Sequence, residues 1–307
     1  MPDTKIQKSF FTEPPKPDLI PAKTVRLAVS GDVLITETER KVIDTPAFQR
    51  LRRLKQLGTS YLVYPSAVHT RFEHSLGAMK VADLMVQKIQ ESVKIQEKKG
   101  FSSLNINDYD RQIIRLAALL HDITQIPFGH TLEDESHVIE LDHDSDEDRF
   151  KFFMGKGAPI GKILLSQIGE EGFDLLVNVL KAKKGGIESL GDKAYICDIV
   201  KNTVCADLLD YLKRDAYYCN LNLDYGDRFL NFLLLARVKN REIGDGESVR
   251  LLIRVWKEKE KRHRRDIIDE LIHLLNCRFF LSSAVYFHHA KIITSAMISR
   301  AVKQELV

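Results

Sequence analysis

The most constraining feature of this chain is the apolar run Ile113-Ile114-Arg115-Leu116-Ala117-Ala118-Leu119-Leu120, which ends in the titratable pair His121-Asp122. A helix this apolar belongs in a core, so a His-Asp pair at its end points to a buried polar site. Imidazole plus carboxylate is the ligand set of a divalent metal that activates water. The pair has company: His74 lies upstream in Arg71-Phe72-Glu73-His74-Ser75-Leu76, and Asp207 downstream in Asp207-Leu208-Leu209-Asp210-Tyr211-Leu212-Lys213-Arg214-Asp215. Two nitrogens and two carboxylates leave positions open for water and a phosphoryl oxygen, which a closed structural zinc site would not.

Bulk properties set the frame. The chain has 307 residues, 44% of them hydrophobic and 29% charged, enough for a large core. No uncharged run is long enough to span a bilayer, and Met1 to Pro21 is polar and proline-rich rather than a signal peptide. A net charge of +3 is too small to argue for nucleic acid. The cysteines Cys197, Cys205, Cys219 and Cys277 lack CxxC spacing and read as reduced, buried thiols of a cytoplasmic protein.

The spacing predicts an all-α protein with a short N-terminal β-hairpin. Residues 1–24 read as a flexible, proline-rich segment, and Val25 to Ile35, broken by Gly31-Asp32, as the hairpin. Thr45-Pro46 opens a helix that Gly58 stops. Further helices are expected over Glu73 to Val93, from Asn107 through the His-Asp pair, and over Gln167 to Lys184, Asp198 to Asp215, Arg228 to Val238 and Arg264 to Lys303. The acidic block Glu133 to Asp148 and the basic run Lys257 to Arg265 read as solvated segments, the latter also as a source of phosphate contacts. Gly155 to Lys162 fails as a phosphate loop because Lys156 and Ile163 stand at its required positions.

The flanks carry a specific resemblance. Ile43 to Gly58, Tyr64-Pro65, His69 to Gly77, Leu119 to Ile123, Pro127-Phe128-Gly129-His130 and Asp207 to Asp215 together resemble the deoxynucleotide triphosphohydrolase branch of the HD-domain phosphohydrolases, over roughly residues 30 to 300. The resemblance implies that 25–307 is one helical HD domain that cleaves a dNTP to the deoxynucleoside and triphosphate with a divalent metal (Mn, Mg, Fe, Zn or Ni). It implies His74, His121, Asp122 and Asp207 as metal ligands. Asp122, His130 and His143 are the implied catalytic residues, with the two imidazoles as proton-transfer groups. Gln56, Arg71, Tyr211, Asp215, Arg278 and Tyr286 are implied substrate contacts. His69 reads as a structural neighbour. Self-association is implied too; nucleic acid is not indicated and no membrane association is expected.

Departures from the family pattern bear on the substrate. Gln125 stands where a His is usual and Leu208 where relatives have a phosphate-binding Lys. Asp144 replaces Glu and Ser282 a substrate-facing His, and Val29-Ser30-Gly31-Asp32 lacks the carboxylate that reads an activating guanine nucleotide. An HD-type phosphodiesterase or nuclease is the alternative, with a weakly catalytic nucleotide-sensing module behind it. A closed pocket holding one nucleoside favours the triphosphohydrolase, and a basic channel leading to the metal the nuclease.

Overall fold

The computed structural model describes residues 15–98, 100, 103–128, 130–135, 137–139, 146–182, 187–239, 246–257 and 260–305. Strands β1 (Pro21–Leu27) and β2 (Gly31–Thr36) form an antiparallel hairpin in which Val25 faces Val33 and Leu27 faces Gly31. Gly31 has φ +66°, a left-handed conformation that glycine adopts without strain. Val33 and Ile35 are buried while Leu34 points outward, the two-residue period of a half-buried strand. The hairpin thus starts four residues before the expected boundary at 25, inside the segment expected to be flexible. Of that segment, residues 1–14 lie outside the described residues.

Helix α1 (Glu37–Ile43) follows at once, opened by a capping box between Thr36 and Glu39. Helix α2 (Pro46–Gln49) has Thr45 as its cap and proline in its first turn, as expected, but it tightens after one turn into the 3-10 segment Arg50–Arg53. The long helix α3 (Arg71–Glu97) begins with a second capping box, Thr70 with Glu73. Helix α4 (Asp108–Leu120), capped by Asn107, is buried without a break from Gln112 to Leu120. Helices α5 (Glu147–Met154), α6 (Pro159–Lys181), α7 (Ala194–Lys201) and α8 (Ala206–Tyr218) complete the middle of the chain. Helix α3 packs against both α4 and α8.

Three expectations need correction. Asp198 to Asp215 is two helices, because the chain breaks at Asn202 and restarts with Cys205 capping α8. Arg228 to Val238 is not a helix: Arg228–Phe232 is a 3-10 turn, and Leu233–Lys239 is strand β3, paired along its whole length with β4 (Glu247–Ile253). The leucine run satisfies either period locally, and pairing with a strand not recognised in the sequence decides it. Arg264 to Lys303 is broken into α9 (Arg265–Leu281) and α10 (His289–Glu305) by a π-turn at Ser282–Tyr286. The basic run sits largely in a small hairpin of β5 (Trp256–Lys257) and β6 (Arg262–His263), where Lys257 and Arg262 pair with Glu260.

One buried ion cluster ties the hairpin to the helices. Arg115, in the middle of α4, donates to both oxygens of Glu39 (2.7 and 2.9 Å) and to the Leu34 carbonyl at 2.9 Å, and lies 3.1 Å from Asp83 on α3. Glu39 therefore serves the α1 cap and holds the one charge inside the apolar run. We predict that Glu39→Ala costs about 3–5 kcal/mol, because it leaves a buried guanidinium without its main partner. Chemical denaturation measures this, and a loss below about 1 kcal/mol would overturn the assignment.

Candidate metal centre

The ligand-type residues stand at helix ends. His74 is in the first turn of α3, His121 caps the C-terminus of α4 with Asp122 next to it, and Asp207 is in the first turn of α8. A carboxylate in a first turn faces the positive end of the helix dipole, which suits Asp207. Packing α3 against α4 and α8 brings these ends together.

The distances define one focus. His74 Nε2 is 3.1 Å from His121 Nε2, 3.0 Å from Asp207 Oδ1 and 3.9 Å from Asp122 Oδ2. His121 Nε2 is 3.6 Å from Asp207 Oδ1 and 3.8 Å from Asp122 Oδ1. His74, His121 and Asp122 offer ligand atoms all within 4.8 Å of one another. Ligands that each stand about 2.0–2.2 Å from a single ion are spaced in this way.

The hydrogen bonds on the far sides of the rings test whether a cation fits. His74 Nδ1 lies 2.9 Å from Asp210 Oδ2, and His121 Nδ1 lies 2.7 Å from the Ala118 carbonyl. Both partners can only accept, so each Nδ1 carries the hydrogen and each neutral ring turns a bare Nε2 lone pair inward. Two lone pairs and two carboxylates facing one point repel unless a cation lies between them. Without a metal a proton takes that place. Burial alone would lower the His74 pKa, but hydrogen bonds and charges from Asp207 and Asp210 overcome it and raise the group to about 10. His121 is likewise raised: burial opposes, and Asp122 and Asp207 prevail. Burial would raise Asp207, yet His121 and His74 hold it well below the usual carboxylate range.

The cluster opens into a cavity of about 670 Å³. Of the residues singled out in the sequence, Gln56, Arg71, His130, Tyr211, Asp215 and Tyr286 line it together with His74, His121, Asp122 and Asp207. Arg71 Nη1 donates to Asp122 Oδ2 at 2.7 Å. Asp215 is held on both oxygens, by His69 Nε2 at 2.7 Å and by the Tyr286 hydroxyl at 2.6 Å. His69 also stacks on Tyr218, so its expected structural role agrees with its surroundings. Arg278 does not line the cavity: it lies exposed on α9, although its charge acts on Tyr211. His143 and Asp144 fall outside the described residues.

The departures find places as well. Gln125 is buried in the cavity wall, where its main-chain carbonyl accepts from Arg50 at 2.6 Å. Leu208 points into the hydrophobic core, and the Ser282 hydroxyl is spent on the Arg278 carbonyl. Sequence reasoning missed Lys55, Lys201 and Lys291, all of which line the cavity. Nothing in their local sequence marks them. It also gave Asp210 no task, though its i,i+4 relation to Arg214 on one helix was a readable signal.

Residues 71–215 match the HD-domain family, a span that begins and ends on the cavity residues Arg71 and Asp215. This segment is an HD domain. HD domains bind divalent metals, and His74, His121 and Asp122 are grouped here as such a site requires. The chain is 32% identical over 285 residues to an uncharacterized protein of Methanocaldococcus jannaschii, covering 92% of this chain and 50% of that protein. It is 32% identical over 204 residues to the deoxynucleoside triphosphate triphosphohydrolase SAMHD1 homolog of Dictyostelium discoideum, covering 64% of this chain and 36% of that one. A crystal structure of a hypothetical protein from Aquifex aeolicus superposes with a TM-score of 0.65 at 29% identity, over 92% of this chain and 64% of that one. The chain thus spans half or less of the length of these two curated relatives. Among the described residues no helix is long and apolar enough to cross a membrane.

The metal-free HD domain should carry a pH signature. A histidine whose folded pKa is raised stabilises the fold fully below its unfolded value, and that contribution is lost as pH rises through the folded value. For His74 the window runs from 6.5 to about 10. We predict that chelated protein loses stability across this window and that added metal removes the dependence while releasing protons. Denaturation at stepped pH, with and without metal, checks it; a metal-free stability that is flat from 6.5 to 10 contradicts the His74 assignment.

Proposed function

We propose that this HD phosphohydrolase acts on deoxynucleoside triphosphates and releases the deoxynucleoside and triphosphate. The observation that carries this reading is a cavity of about 670 Å³ in which the metal-type cluster, the Tyr211 and Tyr286 rings, and cations and carboxylates in the same walls face one volume. Cavities of this order enclose one small ligand rather than a polymer. The names of the SAMHD1-type relatives support the same substrate class.

His74, His121, Asp122 and Asp207 hold the metal in this reading. When bound, it polarises water and offsets charge on a phosphoryl oxygen. Arg71 keeps Asp122 oriented through their 2.7 Å ion pair and turns its remaining N–H groups to phosphate. Lys55 and Lys201 supply further positive charge from the wall, which answers the missing Lys at Leu208 without recourse to the basic run of 257–265. Tyr211 and Tyr286, with ring centroids 6.3 Å apart, pack the sugar beside Asp215, and Gln56 meets its hydroxyl. The Gln56 Oε1 atom is buried with no partner among the described residues, as a group awaiting a ligand hydroxyl would be. His130, exposed in the cavity, donates the proton to the leaving sugar oxygen. His143 is a second proton-transfer candidate.

Two measurements test this. Asp207→Ala should lower kcat/KM at least about 100-fold in folded protein, since a lost ligand forfeits several kcal/mol of charge stabilisation. His130→Ala should lower kcat by about 10²–10⁴-fold with metal binding intact. The assay supplies dATP, dCTP, dGTP and dTTP singly with Mn²⁺ or Mg²⁺ and resolves triphosphate from pyrophosphate and phosphate. Unchanged turnover in Asp207→Ala would overturn the ligand assignment. Inactivity on all four substrates would replace the reaction by a phosphodiesterase one. We also expect no strict dependence on GTP, because the Val29-Ser30-Gly31-Asp32 turn offers only Asp32, and that carboxylate pairs with Arg26 at 2.8 Å. The same rate series repeated with GTP decides the point. Self-association belongs to this reading too, and light scattering with and without nucleotide measures it.

A further inference from the structure

Ser30, in the turn between β1 and β2, is distant in sequence from every residue of the metal centre, yet it reaches the layer directly behind it. Its hydroxyl donates to Asp210 Oδ1 at 3.3 Å and accepts from Arg214 Nη2 at 2.8 Å. Arg214 also grips Asp210 from the same helix, Nε to Oδ2 and Nη2 to Oδ1, each at 2.8 Å. Asp210 Oδ2 is the atom that receives His74 Nδ1. A continuous path therefore runs from the hairpin turn through one carboxylate to a ring whose other nitrogen enters the metal focus.

The surroundings are built to hold that path. The Arg214 side chain is fully buried, and its Nη1 has no hydrogen-bond partner among the described residues, so Asp210 and Ser30 are what fix the guanidinium. Helix α3 comes close enough only because residue 77 is glycine: a Cβ there would overlap Asp210 Oδ1 and Arg214 Nη2. One turn further along α3, Lys80 Nζ donates to the Ser30 carbonyl at 2.5 Å and pins the turn in place. Thus α3 supplies a ligand-type ring, a notch and a clamp at successive turns.

We propose that Ser30 is a positioning residue for His74, acting through Asp210 and Arg214, so that the N-terminal hairpin sets the metal affinity of the site. This rests on His74 being a metal ligand. Without the hydroxyl, Asp210 Oδ1 keeps only Arg214, which has lost one of its own two anchors, and the carboxylate can rotate away from His74 Nδ1. Groups that orient a ligating histidine typically change metal affinity by about 10–100-fold when removed.

The test is a titration of the full-length, chelated protein with cobalt(II), followed by the visible absorption of the bound ion and with no nucleotide present. Ser30→Ala should weaken binding about 10-fold and shift the absorption bands, with the metal-free protein still fully folded at the temperature of the titration. Ser30→Thr, which keeps the hydroxyl, should restore both. Arg26→Ala, which breaks the exposed Arg26–Asp32 pair of the same hairpin, should leave cobalt affinity as in the unaltered chain. Wild-type affinity in Ser30→Ala, failure of Ser30→Thr to rescue, or equal weakening by Arg26→Ala would each overturn the proposal. A chain that binds no cobalt at all overturns it together with the metal reading. One that binds cobalt as described but hydrolyses no dNTP overturns only the proposed reaction.

Discussion

Helix α3 lies against α4 and α8, and that contact decides what the molecule can do. None of the three helices carries a complete ligand set. The residues come into register only when the first turn of α3 meets the last turn of α4 and the first turn of α8. Helix termini suit this purpose, because their side chains project past the packed barrel of the helix while the backbone behind them stays rigid in the core. The unbroken burial of α4 from Gln112 to Leu120 supplies that rigidity, and the capping boxes at Thr36 and Thr70 fix where neighbouring helices begin.

The grouping of His74, His121-Asp122 and Asp207 was legible from the order of these residues together with the family resemblance of their flanks, since each alone is an ordinary polar residue, and the structure brings the four together. The start of α3 was readable to within two residues. What could not be read was whatever depends on a distant partner. Leu233 to Lys239 carries no local mark that separates strand from helix; β4 makes the choice. The break before α8 follows from the need to aim Asp207 at α3, a requirement visible only when both helices are in place. Lys55, Lys201 and Lys291 come from an isolated bridge, a helix end and a separate C-terminal helix, so no linear pattern could have joined them. Arg278 lies exposed on α9 outside the cavity lining, and a match in sequence order says nothing of which face of α9 a residue occupies.

Charge in the cavity is arranged by pairing rather than by excess. Lys291, buried in α10, meets Glu135 of the π-turn at Thr131–Glu135, and Arg71 meets Asp122. Buried cations held by carboxylates keep their geometry without the self-repulsion that bare positive charges would impose on the empty cavity. The small net charge of the chain is matched in the cavity, where Lys55, Arg71, Lys201 and Lys291 share the walls with Asp122, Glu135, Asp207 and Asp215.

The hairpin at Ser30 bears also on the order in which the chain can mature. Ser30 and Arg214 are 184 positions apart, so their contact closes a loop containing more than half of the protein. Contacts of such separation form late in folding, after local helices have assembled. A nascent chain that already displays His74, His121 and Asp122 still lacks Asp207, Asp210 and Arg214, so the Ser30 hydroxyl has neither of its partners even where Lys80 and Arg115 already hold the hairpin. The fourth ligand-type group, Asp207, joins His74 and His121 only once α8 is in place, so the complete set belongs to the closed chain and to no shorter part of it.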